Sequence, residues 1–265
     1  MKRLAMTLMA AGAYSLMAGE TFTWTGAEDA YWTNAANWTV GGATATRCPG
    51  VVWDVNATDG SVPGLPSNDS AVFSGTSENT VVDLAGLYSV QSVRFTGADL
   101  PKYVLGTGED DQFLPFETNG SFRVETEVPA ASCPEVDAVT VAFANYDKNW
   151  WSGAAVGKIV YFHNYSKGEL RFRKDFGGTR IRPDAVKKDY LEVTIVLYGN
   201  DYRFDGKQLA QTYIVCYDYY TTGTLSFYGE FCSQKQMFIR PIRPSISARM
   251  RSSARVRATT TPAST

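Results

Sequence analysis

Residues 189–207 read DYLEVTIVLYGNDYRFDGK, and their pattern decides the fold class. Leu191, Val193, Ile195 and Leu197 fall on one face, and Glu192, Thr194, Val196 and Tyr198 on the other, the period of two that a half-buried strand requires. Gly199-Asn200-Asp201 then supplies turn chemistry, Tyr202 and Phe204 resume the alternation, and Asp205-Gly206 turns the chain again. The reading is three strands joined by two tight turns, a meander that needs further strands beside it.

Those strands flank it on both sides. Upstream, Ser121–Val128 alternates Phe122, Val124, Thr126 and Val128 against Arg123, Glu125 and Glu127, and Val136–Phe143 repeats the pattern. Lys158–Phe162 and Glu169–Phe172 bracket a turn at Tyr165–Gly168, and Gln211–Tyr220 and Thr224–Phe231 follow the meander. No segment carries the period of an amphipathic helix. Short strands at close intervals with turn signals between them predict an all-β fold, a jelly-roll or concanavalin-like β-sandwich over 109–244. The stretches LEVTIVLYGNDYRFDGKQLA, TGTLSFYG and the closing MFIRPIR resemble the concanavalin-like, laminin-G-type sandwiches. That resemblance spans about residues 112–244 and implies binding of sugars or proteins, some members being glycoside hydrolases or lyases.

Before residue 109 the texture differs. Trp24, Trp32 and Trp38 sit among Gly, Asn, Ala and Thr, and three indoles so close together are expected to build a small aromatic core. Residues 51–69 are a loop by composition. Ser70–Gly75, Thr80–Leu84, Ser89–Phe95 and Lys102–Leu105 are strands too short and polar to bury a face alone, which suits stacked rungs or a small sheet. The set Trp24, Trp32, Asn37-Trp38, Asp69 to Phe73, TVVDL, SVQSVRFTG and YVLG resembles bacterial surface proteins with autotransporter-associated β-strand repeats. The likeness covers about 21–108 and implies an exported, β-structured and catalytically silent segment, here without a long run of further repeats. Gly106 to Asp111 marks a boundary, read as a solvated linker because its acids match no calcium-loop spacing.

The chain ends differ from its body. Lys2 and Arg3, an apolar run from Leu4 to Leu16, and Ala18-Gly19 form an export pattern, so residues 1–19 are read as a signal peptide. Residues 245–265 are Ser, Ala, Arg, Thr and Pro with almost nothing to bury, and are read as a disordered basic tail. Nine of the 25 cations lie in the leader and beyond residue 234, which leaves 16 against 27 acidic residues, a net −11, over residues 20–234. An acidic body argues against nucleic acid as a partner, and no stretch is long and apolar enough to span a membrane after the leader. Cys48, Cys133, Cys216 and Cys232 allow three disulfide pairings in an oxidising compartment, or remain buried thiols. They form no CxxC or Cys/His pair, so neither a metal nor another cofactor is expected.

Catalytic chemistry has little to work with. The single histidine, His163, has no marked nucleophile or orienting partner. Glu125 and Glu127 approach the paired-carboxylate pattern of concanavalin-like hydrolases but lack the Asp between them. The candidate ligand site is Asn145, Asp147, Asn149, Trp150 and Trp151: adjacent indoles on an extended chain point to opposite sides, so one of them is free to lie on a sugar ring. The expected function is an exported, non-catalytic structural or adhesive protein of the cell surface or medium, with polysaccharide or cell-surface glycan as the partner to test. The alternative is a carbohydrate-active enzyme on a concanavalin-like fold.

Overall fold

The computed structural model describes residues 19–52, 67–84, 88–109, 112–142, 158–178, 193–208, 212–221, 223–229, 237–240 and 249–250. Their regular elements are strands, with two short 3-10 turns at Ala35–Asn37 and Ala130–Ser132. The first strand, β1 (Thr21–Trp24), pairs antiparallel with β2 (Trp38–Val40), and β2 with β3 (Ala43–Thr44). A short β4 (Val51–Val52) lies antiparallel to the start of a later strand. From there the chain winds.

Each turn of the winding contributes a strand to one sheet and then a strand to a second. β5 (Ser70–Phe73) is followed by β6 (Val81–Val82), β7 (Tyr88–Phe95) by β8 (Val104–Leu105), and β9 (Phe113–Val124) by β10 (Glu135–Val136). A further run, β11 (Val139–Ala142), pairs with the first part of β9. Next come β12 (Lys158–Asn164), β13 (Leu170–Phe172) and β14 (Phe176–Gly178), the last of which pairs with β11. β15 (Val193–Gly199) with β16 (Tyr202–Phe204), β17 (Thr212–Thr221) with β18 (Leu225–Phe227), and β19 (Met237–Arg240) with β20 (Arg249–Met250) complete the described chain. The first sheet runs β5-β7-β9-β12-β15-β17-β19 and the second β6-β8-β10-β13-β16-β18-β20, every neighbouring pair parallel. A chain that visits two sheets alternately and pairs each strand with its counterpart one turn later is a β-solenoid.

All-β is therefore the fold class, but its topology corrects the sandwich expectation. A jelly roll or concanavalin-like sandwich is built from antiparallel hairpins, whereas the described strands between 109 and 244 pair in parallel. Residues 189–207 show why the two look alike in sequence. β15 and β16 alternate as a hairpin would, yet they lie in different sheets, and the turn between them is a corner of the coil. Gly199 makes that corner: its φ is +91°, and a Cβ there would stand 2.0 Å from the carbonyl oxygen of Asn164 one coil below. The boundary expected at 108/109 interrupts neither sheet, since β7 pairs with β9 and β8 with β10 across it. Gly106 and Gly108 turn against Asp137 of the next coil instead.

Parallel register stacks like on like. In the first sheet Phe73 pairs with Phe95, Val93 with Phe122, and Phe122 with Phe162, all facing inward. The inward column of the second sheet is Val82, Leu105, Val136, Phe172, Phe204 and Phe227. Phe172 lies 5.1 Å over Phe204 and Phe204 5.2 Å from Phe227, each pair within 9° of parallel. At the N-terminal end the three indoles of Trp24, Trp32 and Trp38 close the core over Phe73, as the aromatic cluster predicted. Their ring N–H groups donate to the carbonyls of Asn79, Pro49 and Trp32, at 3.1, 3.1 and 2.8 Å.

The polar residues of the repeat resemblance serve the same end of the coil. The buried Asn37 side chain accepts from the N–H groups of Glu28 and Asp29 and donates to the Asp29 carboxylate and the Tyr31 carbonyl. Buried Asp69 accepts from the N–H groups of Glu20 and Gly50 and pairs with Arg47. Of the expected C-terminal tail, Arg249 and Met250 form the last described strand, beside Ser226 and Phe227.

Two substitutions test this core. The Thr140 hydroxyl is buried and has no hydrogen-bond partner among the described residues, so Thr140→Val should raise stability by up to about 1 kcal/mol, read from the urea midpoint. Phe122→Ala, in the middle of the aromatic column, should cost about 3–5 kcal/mol in the same assay. A destabilising Thr140→Val or a nearly neutral Phe122→Ala would place these residues outside a close-packed interior.

Candidate functional site

The ligand residues expected from sequence, Asn145, Asp147, Asn149, Trp150 and Trp151, lie outside the described residues, in the link between β11 and β12. The leader expected at 1–19 lies outside them as well, apart from Gly19. What the described structure offers are the two outward faces of the coil, and parallel register composes them as it composes the core. Residues far apart in sequence become neighbours in a column.

On the second sheet the outward column is Val81, Val104, Glu135, Arg171, Arg203 and Ser226. Its charges are matched. Glu135 takes Lys102 on one oxygen and Arg173 on the other, and Arg173 reaches Asp137 at 3.3 Å. Asp205 sits between Arg171 and Arg203, with N–O distances of 2.6 and 2.7 Å. The Arg203 guanidinium also lies 4.3 Å over the ring of Tyr228. Burial pushes the Glu169 carboxyl above its ordinary value, against the charge of Arg203 nearby. This face is an ion ladder whose cations and anions neutralise each other.

The first sheet presents a different face. Its outward columns are Ser70, Ser92, Ser121, Tyr161 and Val196, and alongside them Val72, Arg94, Arg123, His163 and Tyr198. Arg94 and Arg123 donate through Nε to the same oxygen of Glu125, each at 2.7 Å. Their side chains are 51% and 45% exposed, that of Glu125 only 10%, so one carboxylate anchors two guanidinium groups that remain in water. Ser92, Arg94, Ser121, Arg123 and Glu125 line a shallow polar depression between the two coils.

Further along the axis the columns turn aromatic. His163 stacks on Tyr198 with centroids 4.7 Å apart and planes 12° apart, and its Nδ1 lies 3.1 Å from the Tyr165 hydroxyl. Tyr161 stands 6.2 Å from His163, and Arg123 lies 5.1 Å over Tyr165. His163 and Tyr198 thus cover one face of each other's ring from one coil to the next. Burial and the charge of Arg123 hold the His163 pKa below its ordinary value, so the imidazole is neutral at pH 7.

Glu127, the second carboxylate weighed for hydrolysis, is exposed at the corner after β9 and accepts from Thr96 and Thr126. The Thr96 bond holds its carboxyl below the ordinary value, the opposite of what a general acid needs. Glu117 does have a raised pKa, through burial, but it is walled in by Ser67 and Asn68. Cys48 and Cys133 are free, buried thiols with pKa values pushed up by burial to about 11. Thiols in that state are structural rather than nucleophilic.

Sequence reasoning missed the arginine–imidazole–tyrosine column, although a signal for it exists. Ser92-Val93-Arg94-Phe95 and Ser121-Phe122-Arg123-Val124 are one motif repeated, and Tyr161-Phe162-His163-Asn164 varies it. Leu170-Arg171-Phe172, Tyr202-Arg203-Phe204 and Leu225-Ser226-Phe227 repeat in the second sheet. Internal repetition of that kind is the mark of stacked coils. Comparison with known proteins gives no matching family model, no matching curated protein and no matching solved structure.

The ion ladder yields a pH test. Burial alone would raise the Glu135 pKa, but the Lys102 hydrogen bond and the charges of Arg173 and Lys102 outweigh it and hold the carboxyl below its ordinary 4.5. A carboxyl held low in the folded chain stabilises fully above that value, and its contribution is lost as pH falls through the folded pKa. Glu135→Gln should therefore be less stable than the parent at pH 7, with the gap closing below about pH 4.5. A gap that stays constant across a pH series of thermal midpoints would mean the carboxylate charge is not what matters.

Proposed function

We propose that this chain is an exported, non-catalytic structural and adhesive module of a bacterial cell surface or its surrounding medium, with glycan as the adhesive partner. The observation that carries this reading is the stack of coils itself. Parallel strands run through both sheets, and the described outward charges are mostly engaged with one another. A catalytic pair of carboxylates needs two groups poised across a cleft with separated pKa values. Glu125 is committed to Arg94 and Arg123, and Glu127 to Thr96 and Thr126.

Export is supported by the charged and apolar pattern of residues 1–19. The likeness of residues 21–108 to exported repeat proteins agrees with a coil whose start is closed by Trp24, Trp32 and Trp38. A rigid coil suits display: its backbone hydrogen bonds run along the axis, and its side faces repeat the same side-chain positions at each turn.

Expression of the full chain with its own leader in a bacterial host tests the proposal. The protein should be recovered outside the cytoplasm with a mature N-terminus near Gly19 or Glu20, and it should release no reducing ends from a panel of polysaccharides. Cytosolic protein with Met1 intact, or sugar release that Glu125→Gln abolishes, would overturn it.

A further inference from the structure

We infer that the outward face of β7, β9, β12 and β15 is a binding track for an acidic polysaccharide, one bearing carboxylate groups along its length. This rests on the adhesive reading above and adds the site and the ligand class. Arg94 and Arg123 share one carboxylate oxygen through their Nε atoms, and among the described residues no further hydrogen bond engages their terminal nitrogens. Both guanidinium groups are therefore aimed by Glu125 and exposed, with their terminal N–H groups facing water. A guanidinium fork matches a carboxylate in shape and charge. Along a body that carries net −11 over residues 20–234, this pair of arginines sharing one acid is a cationic spot that can select an anionic ligand.

The column argues for a polymer rather than a small anion. Arg94, Arg123, His163 and Tyr198 occupy one register position in four successive coils of the first sheet. Neighbouring coils lie about 4.8 Å apart, so the face offers a polar group at each step along the axis. Ser121 and Tyr161 follow in the adjacent column, and the Tyr161 hydroxyl and the His163 Nε2 make no hydrogen bond to other described residues. His163 and Tyr198 are stacked on each other, so this half of the track recognises hydroxyl groups by hydrogen bonding through the Tyr161 hydroxyl and the His163 Nε2. The depression beside Arg94 and Arg123 is open and shallow, which suits a strand laid across it.

The test compares retention of the purified full chain on immobilised polygalacturonate, on a neutral glucan and on single-stranded DNA, with thermal midpoints measured in parallel. The parent should be retained on polygalacturonate alone, and retention should fall as salt rises. Arg94→Gln combined with Arg123→Gln should lower retention at least tenfold, while Arg94→Lys combined with Arg123→Lys should recover part of it at a similar midpoint. Tyr161→Phe should weaken retention without moving the midpoint. Absence of retention on polygalacturonate, or retention that survives loss of both arginines in a folded variant, overturns the inference. Retention on the neutral glucan alone overturns the track but leaves the adhesive reading standing, whereas preference for DNA overturns both.

Discussion

Parallel pairing sets the residues of one coil over their counterparts in the next, about 4.8 Å distant, and almost everything else in this protein follows from that spacing. Inside, it favours flat rings over flat rings, because Phe172, Phe204 and Phe227 then fill successive layers without leaving gaps. Outside, the same spacing would set like charge beside like charge wherever a motif repeats. Arg171 and Arg203 are such a pair, and Asp205 between them relieves the repulsion. Arg94 and Arg123 are another, relieved by Glu125. An acid two residues beyond the second arginine solves the problem in both sheets.

The corners obey the same logic with polar groups. Asn164 is fully buried at the turn out of the first sheet, where its amide donates to the carbonyls of Gly168 and Asp201 and accepts from the Ser166 hydroxyl. Tyr202 reaches the same corner from the next coil and accepts from the Asn164 backbone N–H. A coil that turns inside its own stack must satisfy backbone groups that no strand partner can reach, and these side chains do so.

The all-β class was legible because alternation along a strand does not depend on which way its neighbour runs. For that same reason the direction of pairing was not legible. Gly199-Asn200-Asp201 has the composition of a hairpin turn, and only the depth of Asn164 behind Gly199 shows that it is a corner. The short strands between Ser70 and Leu105 did suggest stacked rungs, since none could bury a face alone. Downstream, longer strands and longer connections hid the same repeat. The buried indoles were predictable from their crowding. The arginine column left only the faint trace of its repeated motif, because Arg94, Arg123 and His163 meet only once the register is known.

Coil length varies widely, while the inward columns of both sheets stay aligned. Ser70 and Ser92 are 22 residues apart and hydrogen-bond side chain to side chain, yet the path from Phe122 to Phe162 is far longer and ends in an equally aligned pair. Lengthening a flexible corner costs little, about 0.6 kcal/mol for each doubling. Natural selection can therefore insert or trim sequence at the corners while leaving both sheets intact. The stack is a conservative frame with mutable margins, and its corners are where new specificity can be acquired without redesigning the core.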